Sequence, residues 1–293
     1  MPKTSLFLNV IPKLRQRYYQ ALSGKESLIK LIGEAEVPEQ VYNSNAIENS
    51  TLTLEETEKI LLQIELDRYI SEREIFEARN LARVVTYLEK TATTQSLTME
   101  TMLLLHRMLL ANIRDEVAGR WRANNEFVRV GRHIGAHPKD IAPLLEDILM
   151  EYHAFSSTNI IKRIAKFHLA FEHIHPFIDG NGRIGRVLTN YLLLREGYVP
   201  INIKFVDRAH YYDAFRQFDS NGETAIMERI VGLALSQSYH KRLAYLEDKK
   251  IISLQEYAQL SHQSYSNALN KANRQTIEAF LEKNRWCIGV DRS

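Results

Sequence analysis

The chain has 293 residues, a formal net charge of +2 and a single cysteine, with 45% hydrophobic and 25% charged residues. These values describe an ordinary globular protein. They exclude a disulfide framework and a cysteine-rich metal site, and they give no strong attraction to nucleic acid or anionic membranes. No apolar run is long enough to cross a membrane, and the apolar start at 5–11 is too short for a signal peptide. We therefore expect a cytoplasmic protein.

The first predicted elements are helices. A helical pattern runs over 12–22. Thr53 and Glu56 have the spacing of a capping box, which predicts that another helix begins there. Apolar residues at steps of three and four positions then predict two further helices, over 71–89 and 98–113.

The segment 119–135 departs from the helical pattern. Phe127–Val130 is rich in β-prone residues, Gly131 permits a turn, and His133–Ile134 returns to a β-prone pair. This order predicts a short β-hairpin. The residues alone do not distinguish an ordinary structural hairpin from one that binds another chain.

Helices dominate the rest of the chain up to about residue 247. Periodic apolar residues predict two helices before a central loop and three after it. The predicted elements are 138–152, 158–174, 183–197, a helix that begins at Asp207, and 223–247. Together they predict an all-α bundle with one short hairpin.

The central loop carries the most informative residues, His-Pro-Phe-Ile-Asp-Gly-Asn-Gly-Arg-Ile-Gly-Arg over 175–186. The Gly-Asn-Gly run favours successive backbone N–H groups that point at one anion, and the following helix directs its positive end there. Arg183 and Arg186 are three residues apart, so both lie on one face of that helix. Two guanidinium groups beside such a nest indicate a polyphosphate rather than a single carboxylate.

Two further side chains of the loop suit phosphate chemistry. Asp179 adds one carboxylate, and one carboxylate together with phosphate oxygens is how proteins usually hold Mg²⁺. His175 titrates near neutrality, so it suits a general base. A His-Pro pair or a Gly-Asn-Gly run by itself is more often a turn, but their combination with paired arginines is hard to explain as structure alone.

The whole string resembles the signature of the Fic family, His-Pro-Phe-x-(Asp/Glu)-Gly-Asn-Gly-Arg-x-x-Arg, with every fixed position present. Fic proteins mostly transfer a nucleoside monophosphate from a nucleoside triphosphate to a protein hydroxyl. The resemblance implies that His175 deprotonates a Ser, Thr or Tyr hydroxyl, while Asp179 holds Mg²⁺ against the phosphates of ATP. It implies that the nucleotide is bound by Gly180, Asn181, Gly182, Arg183, Gly185 and Arg186. The Doc branch, which phosphorylates its target, has Lys in place of Gly182, and this departure argues against kinase chemistry.

Two more segments are interpreted through the same resemblance. Fic proteins carry a hairpin flap that binds the target segment as an added strand, and Phe127–Ile134 resembles that flap. A target peptide docked there would present its hydroxyl to His175. Tyr212 resembles an aromatic residue on the adenine side of the Fic pocket. A tyrosine buried in a helical core would explain the same residue.

The segment 44–49 resembles the inhibitory motif of one Fic subgroup, (Ser/Thr)-x-x-x-Glu-(Gly/Asn). Ser44, Glu48 and Asn49 occupy its fixed positions. The resemblance implies that Glu48 forms a salt bridge with Arg186 and keeps the γ-phosphate out of its productive pose. A carboxylate does compete with phosphate for the same guanidinium. From the residues alone, a surface glutamate beside a polar turn remains the alternative.

Residues 249–293 show a different pattern. A helix that begins at Ser253, a turn, a helix over 265–273 and two strands joined at Lys283–Asn284 resemble a winged helix-turn-helix. Its nearly balanced charge favours target recruitment or packing over DNA binding. We therefore predict three parts, with the inhibitory motif in 1–110, the Fic core in 111–248 and the winged-helix-like tail in 249–293.

The leading hypothesis is an autoinhibited protein adenylyltransferase. It would move AMP from ATP, with Mg²⁺, to a target protein or to itself, and release pyrophosphate. A second hypothesis is hydrolytic removal of AMP, with Glu48 positioning a water molecule. A third, of another class, is a DNA-binding regulator that senses a nucleotide. A homo-oligomer is left open, and no membrane association is expected.

Overall fold

The computed structural model describes residues 5–131, 133–154 and 159–292. The helices before the hairpin are α1 (Ser5–Leu22), α2 (Glu26–Ile47), α3 (Leu54–Leu62), α4 (Glu72–Thr91) and α5 (Met99–Leu110). Those between the hairpin and the tail are α6 (Ile141–Ala154), α7 (Ile160–Ile174), α8 (Asn181–Arg195), α9 (Arg208–Asn221) and α10 (Ala225–Leu246). This architecture confirms the predicted all-α class. None of the described helices is long and apolar enough to span a membrane.

The described residues form two compact units. The first contains residues up to Glu36 together with those from Arg229 onward, and the second contains Val37–Glu228. Helices α2 and α10 contribute residues to both units. The three parts inferred from the sequence remain a proposal about domain organisation.

Helix α8 lies at the centre of the second unit. It packs against α4, α5 and α7, and nearly every residue from Asn181 to Leu193 is buried. A helix enclosed in this way is expected to be apolar all round, yet Arg183 and Arg186 are among its buried residues. Buried charges require partners, so the surroundings of these two arginines decide what the helix can do.

Side-chain caps determine where several helices begin. Thr53 Oγ1 accepts a hydrogen bond from Glu56 N, and the Glu56 carboxylate accepts one from Thr53 N, which is the predicted capping box. Ser71 and Thr98 cap α4 and α5 through the same contact with the residue three positions on. The predicted and observed starts of these helices therefore agree within one residue. The predicted start of α7 at Thr158 lies outside the described residues.

Helices α1 and α2 each contain a proline beyond the first turn. Helix α1 runs through Pro12, so it extends before the predicted start at residue 12. Helix α2 runs through Pro38, in a segment for which no helix was predicted. Each proline removes one backbone donor, but the neighbouring Ile11 and the nearby Val41 are fully buried. Packing of the apolar face outweighs the missing hydrogen bond at both positions.

The predicted hairpin is present. Strands β1 (Arg129–Val130) and β2 (His133–Ile134) pair in antiparallel register. The side chains of Phe127, Val130 and Ile134 are exposed. The hairpin therefore leaves three large apolar side chains accessible to solvent, and its role in binding a target remains a prediction.

The tail consists of β3 (Lys250–Ser253), α11 (Leu254–Leu260), α12 (Tyr265–Asn273), β4 (Ala279–Glu282) and β5 (Arg285–Val290). Its sheet has the order β3-β5-β4, and its apolar residues form a small core of their own. The two helices and the hairpin were predicted. Strand β3 was not, because four residues without a clear alternation carry little signal. The winged-helix interpretation of this fold remains a prediction.

Candidate nucleotide-binding site

The loop between α7 and α8 is shaped by two left-handed residues. His175 ends α7 with φ of 53°, and its backbone N–H still bonds Phe171 O at 3.0 Å. Gly180 precedes α8 with φ of 81°, a conformation that glycine adopts without strain. Between them the chain reverses, so that the start of α8 lies beside the end of α7.

The Asn181 side chain closes this loop. Its Oδ1 accepts a hydrogen bond from Phe177 N at 2.9 Å, and its Nδ2 donates one to Phe177 O at 2.9 Å. Asn181 is almost fully buried. Its amide is therefore engaged within the loop, and its backbone N–H is the group that remains for a ligand.

Two residues far away in sequence also hold the loop, and the sequence analysis missed both roles. His106 on α5 stacks on the Phe177 ring with 3.6 Å between centroids. Its Nε2 donates to Asp179 O at 3.0 Å, and its Nδ1 accepts from Gly119 N at 2.9 Å. Burial lowers the pKa of His106 to about 4, so the ring is neutral and acts as a structural support.

Arg122 joins the loop to the hairpin segment. Its guanidinium donates to four carbonyl groups: His175 O at 2.8 Å, Glu126 O at 2.8 Å, Ala136 O at 2.6 Å and Ile174 O at 3.3 Å. Its backbone N–H also bonds Pro176 O at 3.0 Å. Neither His106 nor Arg122 lies near the motif in the sequence, so only a conserved pattern across relatives could have indicated them.

The His175 imidazole is placed to accept a proton. Its Nδ1 lies 3.2 Å from Glu172 O. A carbonyl only accepts hydrogen bonds, so Nδ1 carries the proton and the Nε2 lone pair is free. Burial lowers the pKa of His175 to about 4, which keeps the ring neutral at physiological pH.

Arg186 is enclosed by the segment predicted to be inhibitory. Its Nε donates to Ser44 Oγ at 2.9 Å, and its Nη2 donates to Ser44 O and to Glu48 Oε1, both at 2.8 Å. Its Nη1 donates to Tyr211 Oη at 3.2 Å. The structure thus contains the Glu48–Arg186 salt bridge that the resemblance implied, and it adds Ser44 and Tyr211 as partners of Arg186.

Glu48 also covers the loop itself. Its carboxylate lies so close to the Gly182 Cα that a methyl group there would overlap Oε1. A larger residue there would have to displace the Glu48 carboxylate, which occupies space directly above the predicted phosphate nest. Asn49, the last residue of the motif, has φ of 70° and accepts a hydrogen bond from Arg208 Nη2 at 2.6 Å. A Gly or Asn suits this position because both tolerate a left-handed backbone.

Arg183 and Asp179 form a second polar group beside the loop. Arg183 Nη2 lies 3.3 Å from Asp179 Oδ1, and its Nη1 lies 3.2 Å from Glu77 Oε1 on α4. The other oxygen of Asp179 lies 3.3 Å from Arg73 Nη2. Arg183 Nε is buried without a hydrogen-bond partner among the described residues. Buried donors are normally paired, so this N–H group is available to an anionic ligand.

This arrangement decides what metal could be held. Asp179 provides an oxygen ligand of the kind that Mg²⁺ prefers, but it is the loop's one carboxylate, and both of its oxygens face guanidinium groups. A single carboxylate suits an ion that arrives with phosphate groups and keeps several water ligands. The donor set fits Mg²⁺ bound together with a nucleotide.

Glu172 is an unexpected carboxyl group in the site. Its side chain is 10% exposed, its Oε1 has no hydrogen-bond partner among the described residues, and it lies against Gly185, where a side chain would overlap it. Burial, and then the charge of Glu48, raise the pKa of Glu172 to about 8. No motif in the sequence analysis pointed to Glu172.

A cleft of about 920 Å³ joins these groups. It is lined by Glu48, Glu172, His175, Gly182 and Tyr212, and by residues of the hairpin. The Tyr212 hydroxyl donates to Ile47 O at 3.3 Å, and its ring faces Phe215. Tyr212 therefore lies in the wall of the cleft, where the sequence analysis expected a base-facing residue.

A family model described as the Fic/DOC family matches residues 96–193. The chain belongs to the Fic/DOC family. A protein adenylyltransferase Fic of Nematostella vectensis is 30% identical over 224 residues, which cover 72% of this chain and 49% of that protein. One of Drosophila willistoni is 33% identical over 220 residues, which cover 70% and 43%. The chain spans less than half the length of these curated relatives.

The fold of this Fic protein is also found in solved structures. A Fic domain-containing signaling protein from Bacteroides thetaiotaomicron matches with a TM-score of 0.73 at 21% identity. The match covers 82% of this chain and 97% of that protein. It confirms the predicted Fic-fold helical bundle, while the roles of individual residues depend on the geometry described above.

Proposed function

We propose that this Fic protein is a protein adenylyltransferase that uses ATP. The observation that carries the proposal is the neutral His175, with a free Nε2 lone pair, in the same cleft as the Gly180–Gly182 turn and Glu48. General-base catalysis needs such a lone pair within reach of the attacking hydroxyl. The buried arginines beside the turn supply donors for phosphate oxygens.

The proposed reaction is an in-line substitution at the α-phosphorus of ATP. His175 Nε2 takes the proton of a Ser, Thr or Tyr hydroxyl as its oxygen bonds to that phosphorus. The bond to the bridging oxygen breaks, and pyrophosphate leaves with the electron pair. The backbone of Gly180, Asn181 and Gly182 would hold the α-phosphate. Mg²⁺ bound at Asp179 would supply positive charge against the phosphates.

We further propose that Glu48 inhibits this reaction. Arg186 would bind the γ-phosphate, but its donors are engaged by Ser44, Glu48 and Tyr211. Because phosphate must compete for the same guanidinium, ATP would bind without its productive phosphate geometry until Glu48 leaves. The target segment would dock on the exposed apolar side chains of the hairpin, Phe127, Val130 and Ile134.

A second candidate is removal of AMP from a modified protein. The observation in its favour is that the Glu48 carboxylate and His175 line one cleft, so Glu48 could orient an attacking water. The two functions differ in their need for Glu48. Transfer should increase when Glu48 is removed, whereas hydrolysis should be lost.

The test is labelling of protein with ATP radioactive at the α-phosphate. Glu48→Ala should raise labelling of itself or of proteins in a cell extract by roughly tenfold or more, while Glu146→Ala, at an exposed position on α6, should not. Label at the γ-phosphate should not be transferred. Adding His175→Ala to Glu48→Ala should abolish labelling and leave nucleotide binding intact. Equal labelling by the two alanine variants would reject the inhibitory role.

A further inference from the structure

Three metal-binding side chains meet at the edge of the cleft, apart from the motif loop. They are His133 on β2, His173 on α7 and Asp219 on α9, and one donor atom from each lies within 4.8 Å of the other two. All three line the cleft described above. They belong to three different elements, so the fold rather than the local sequence brings them together.

Hydrogen bonds fix which nitrogen atoms can bind a metal. His133 lies with its Nε2 2.7 Å from His173 O, and because a carbonyl only accepts, the Nδ1 of His133 has the free lone pair. His173 Nδ1 lies 2.8 Å from Asp219 Oδ1. An ion that takes the place of the proton shared by these two atoms makes both of them ligands, because metal binding releases protons from the groups that it uses.

A simple surface ion pair does not account for the whole group. An ion pair would explain the contact between His173 and Asp219. It would not explain why the imidazole of His133 lies against that of His173. The rings of His133 and His173 are 3.9 Å apart between centroids and are inclined by 30°. An imidazole from the hairpin is therefore kept beside an imidazole–carboxylate pair of the bundle.

We propose that His133, His173 and Asp219 bind a zinc-like transition-metal ion. Imidazole nitrogen and carboxylate oxygen suit Zn²⁺, whereas Mg²⁺ prefers oxygen ligands alone. Donor atoms around one zinc ion lie roughly 3–3.5 Å apart, so the rings must turn from their stacked positions. His173 and Asp219 are exposed, and their side chains have room for this change. A water molecule completes a tetrahedral site.

The ion would connect the hairpin to the bundle. His133 is paired with Val130 in the two-stranded sheet, while α7 leads directly into His175. A metal bond between them fixes the distance between the hairpin and the general base. Binding of an extended peptide along the hairpin would then depend on the metal, whether or not the proposed transfer reaction is correct.

The first experiment is calorimetric titration of chelator-treated full chain with zinc chloride. We expect one ion per chain, with binding weakened roughly tenfold or more in His133→Gln, His173→Gln and Asp219→Asn. His153→Gln, which removes an exposed histidine of α6, should bind as the unchanged chain does. Magnesium chloride should give no heat at this site.

The second experiment measures hydrogen exchange with and without zinc chloride. Zinc should slow the exchange of the backbone amides in β1 and β2, and it should have no such effect in His133→Gln. Thermal unfolding checks that each variant is folded. Absence of saturable zinc binding, binding by the three variants as tight as by the unchanged chain, or unchanged exchange in the hairpin would each overturn the proposal.

Discussion

At the scale of single residues, the site is governed by two carboxyl groups and one guanidinium. Glu48 contacts Arg186 directly, whereas Glu172 has no cation in hydrogen-bond contact among the described residues and is kept protonated by burial and by Glu48. One positive charge neutralises one carboxylate. The second carboxyl group remains neutral because a buried, unpaired charge is costly.

Glu172 should make the protein less stable as the pH rises. The folded-state pKa of about 8 lies above the ordinary value of 4.5, so between these values the folded chain holds a proton that the unfolded chain has lost. Stability then falls with pH, by up to about 1.4 kcal/mol per pH unit. In Glu172→Gln this fall should disappear. The free energy of unfolding of the variant should therefore increase, relative to that of the unchanged chain, as the pH rises towards 8.

Urea unfolding at several pH values between about 5 and 8 measures this effect. Glu146→Gln, on the exposed face of α6, is the control and should keep the slope of the unchanged chain. The same slope in Glu172→Gln would show that Glu172 is ionised in the folded protein.

At the scale of elements, the loop after α7 was predictable and its supports were not. The glycines and His175 predict a turn and an anion site, because backbone freedom and side-chain chemistry are properties of the residues themselves and need no knowledge of distant contacts. Arg122 and His106 act on the loop from other elements, through backbone carbonyls and ring stacking. The contact of Glu48 with Arg186 was inferable only through the resemblance, since spacing alone does not place residue 48 beside residue 186.

Replacing Arg122 tests whether the hairpin segment supports the loop. Arg122→Lys keeps the charge but loses the fork that reaches four carbonyl groups. We expect a loss of about 1–3 kcal/mol in the free energy of unfolding, because buried acceptors are left unpaired. Adenylylation by the Glu48→Ala background should also fall, since His175 O is one of the carbonyls.

The matched control is Arg120→Lys, two residues earlier. Arg120 is 40% exposed and pairs with Glu126, and such surface pairs contribute roughly 0–1 kcal/mol. A loss for Arg122→Lys as small as that for Arg120→Lys, in chemical denaturation and in labelling, would mean that Arg122 acts only through its charge.

At the scale of the whole molecule, long-range ion pairs could not be predicted from the sequence. The helices and hairpin of the tail were predicted from caps and turn residues, which are local signals. Nothing in the sequence indicated that Lys241 on α10 would bond both Glu36 on α2 and Glu282 in the tail, at 3.2 and 2.5 Å. These pairs connect the two ends of the chain within the first unit.

Glu36 on α2 forms ion pairs with two cationic side chains of α10. It pairs with Lys241 and, at 2.6 Å, with Arg242, and all three side chains are mostly buried. Burial alone would raise the pKa of Glu36, but Arg242 and Lys241 outweigh it and lower the pKa. Its stabilising effect is therefore present above about pH 4.5 and is lost as the pH falls through the lower folded-state value.

Glu36→Gln should lower the free energy of unfolding by about 3–5 kcal/mol at neutral pH, because buried Arg242 loses this carboxylate and buried Lys241 keeps only Glu282. Glu34→Gln, on the same helix, removes an exposed carboxylate 3.9 Å from Lys30 and should cost less than about 1 kcal/mol. Denaturant unfolding compares the two. The loss in Glu36→Gln should shrink as the pH falls from the ordinary glutamate value of 4.5 through the lower folded-state value, since the native carboxylate becomes protonated there. A loss independent of pH would contradict the role assigned to the ion pairs.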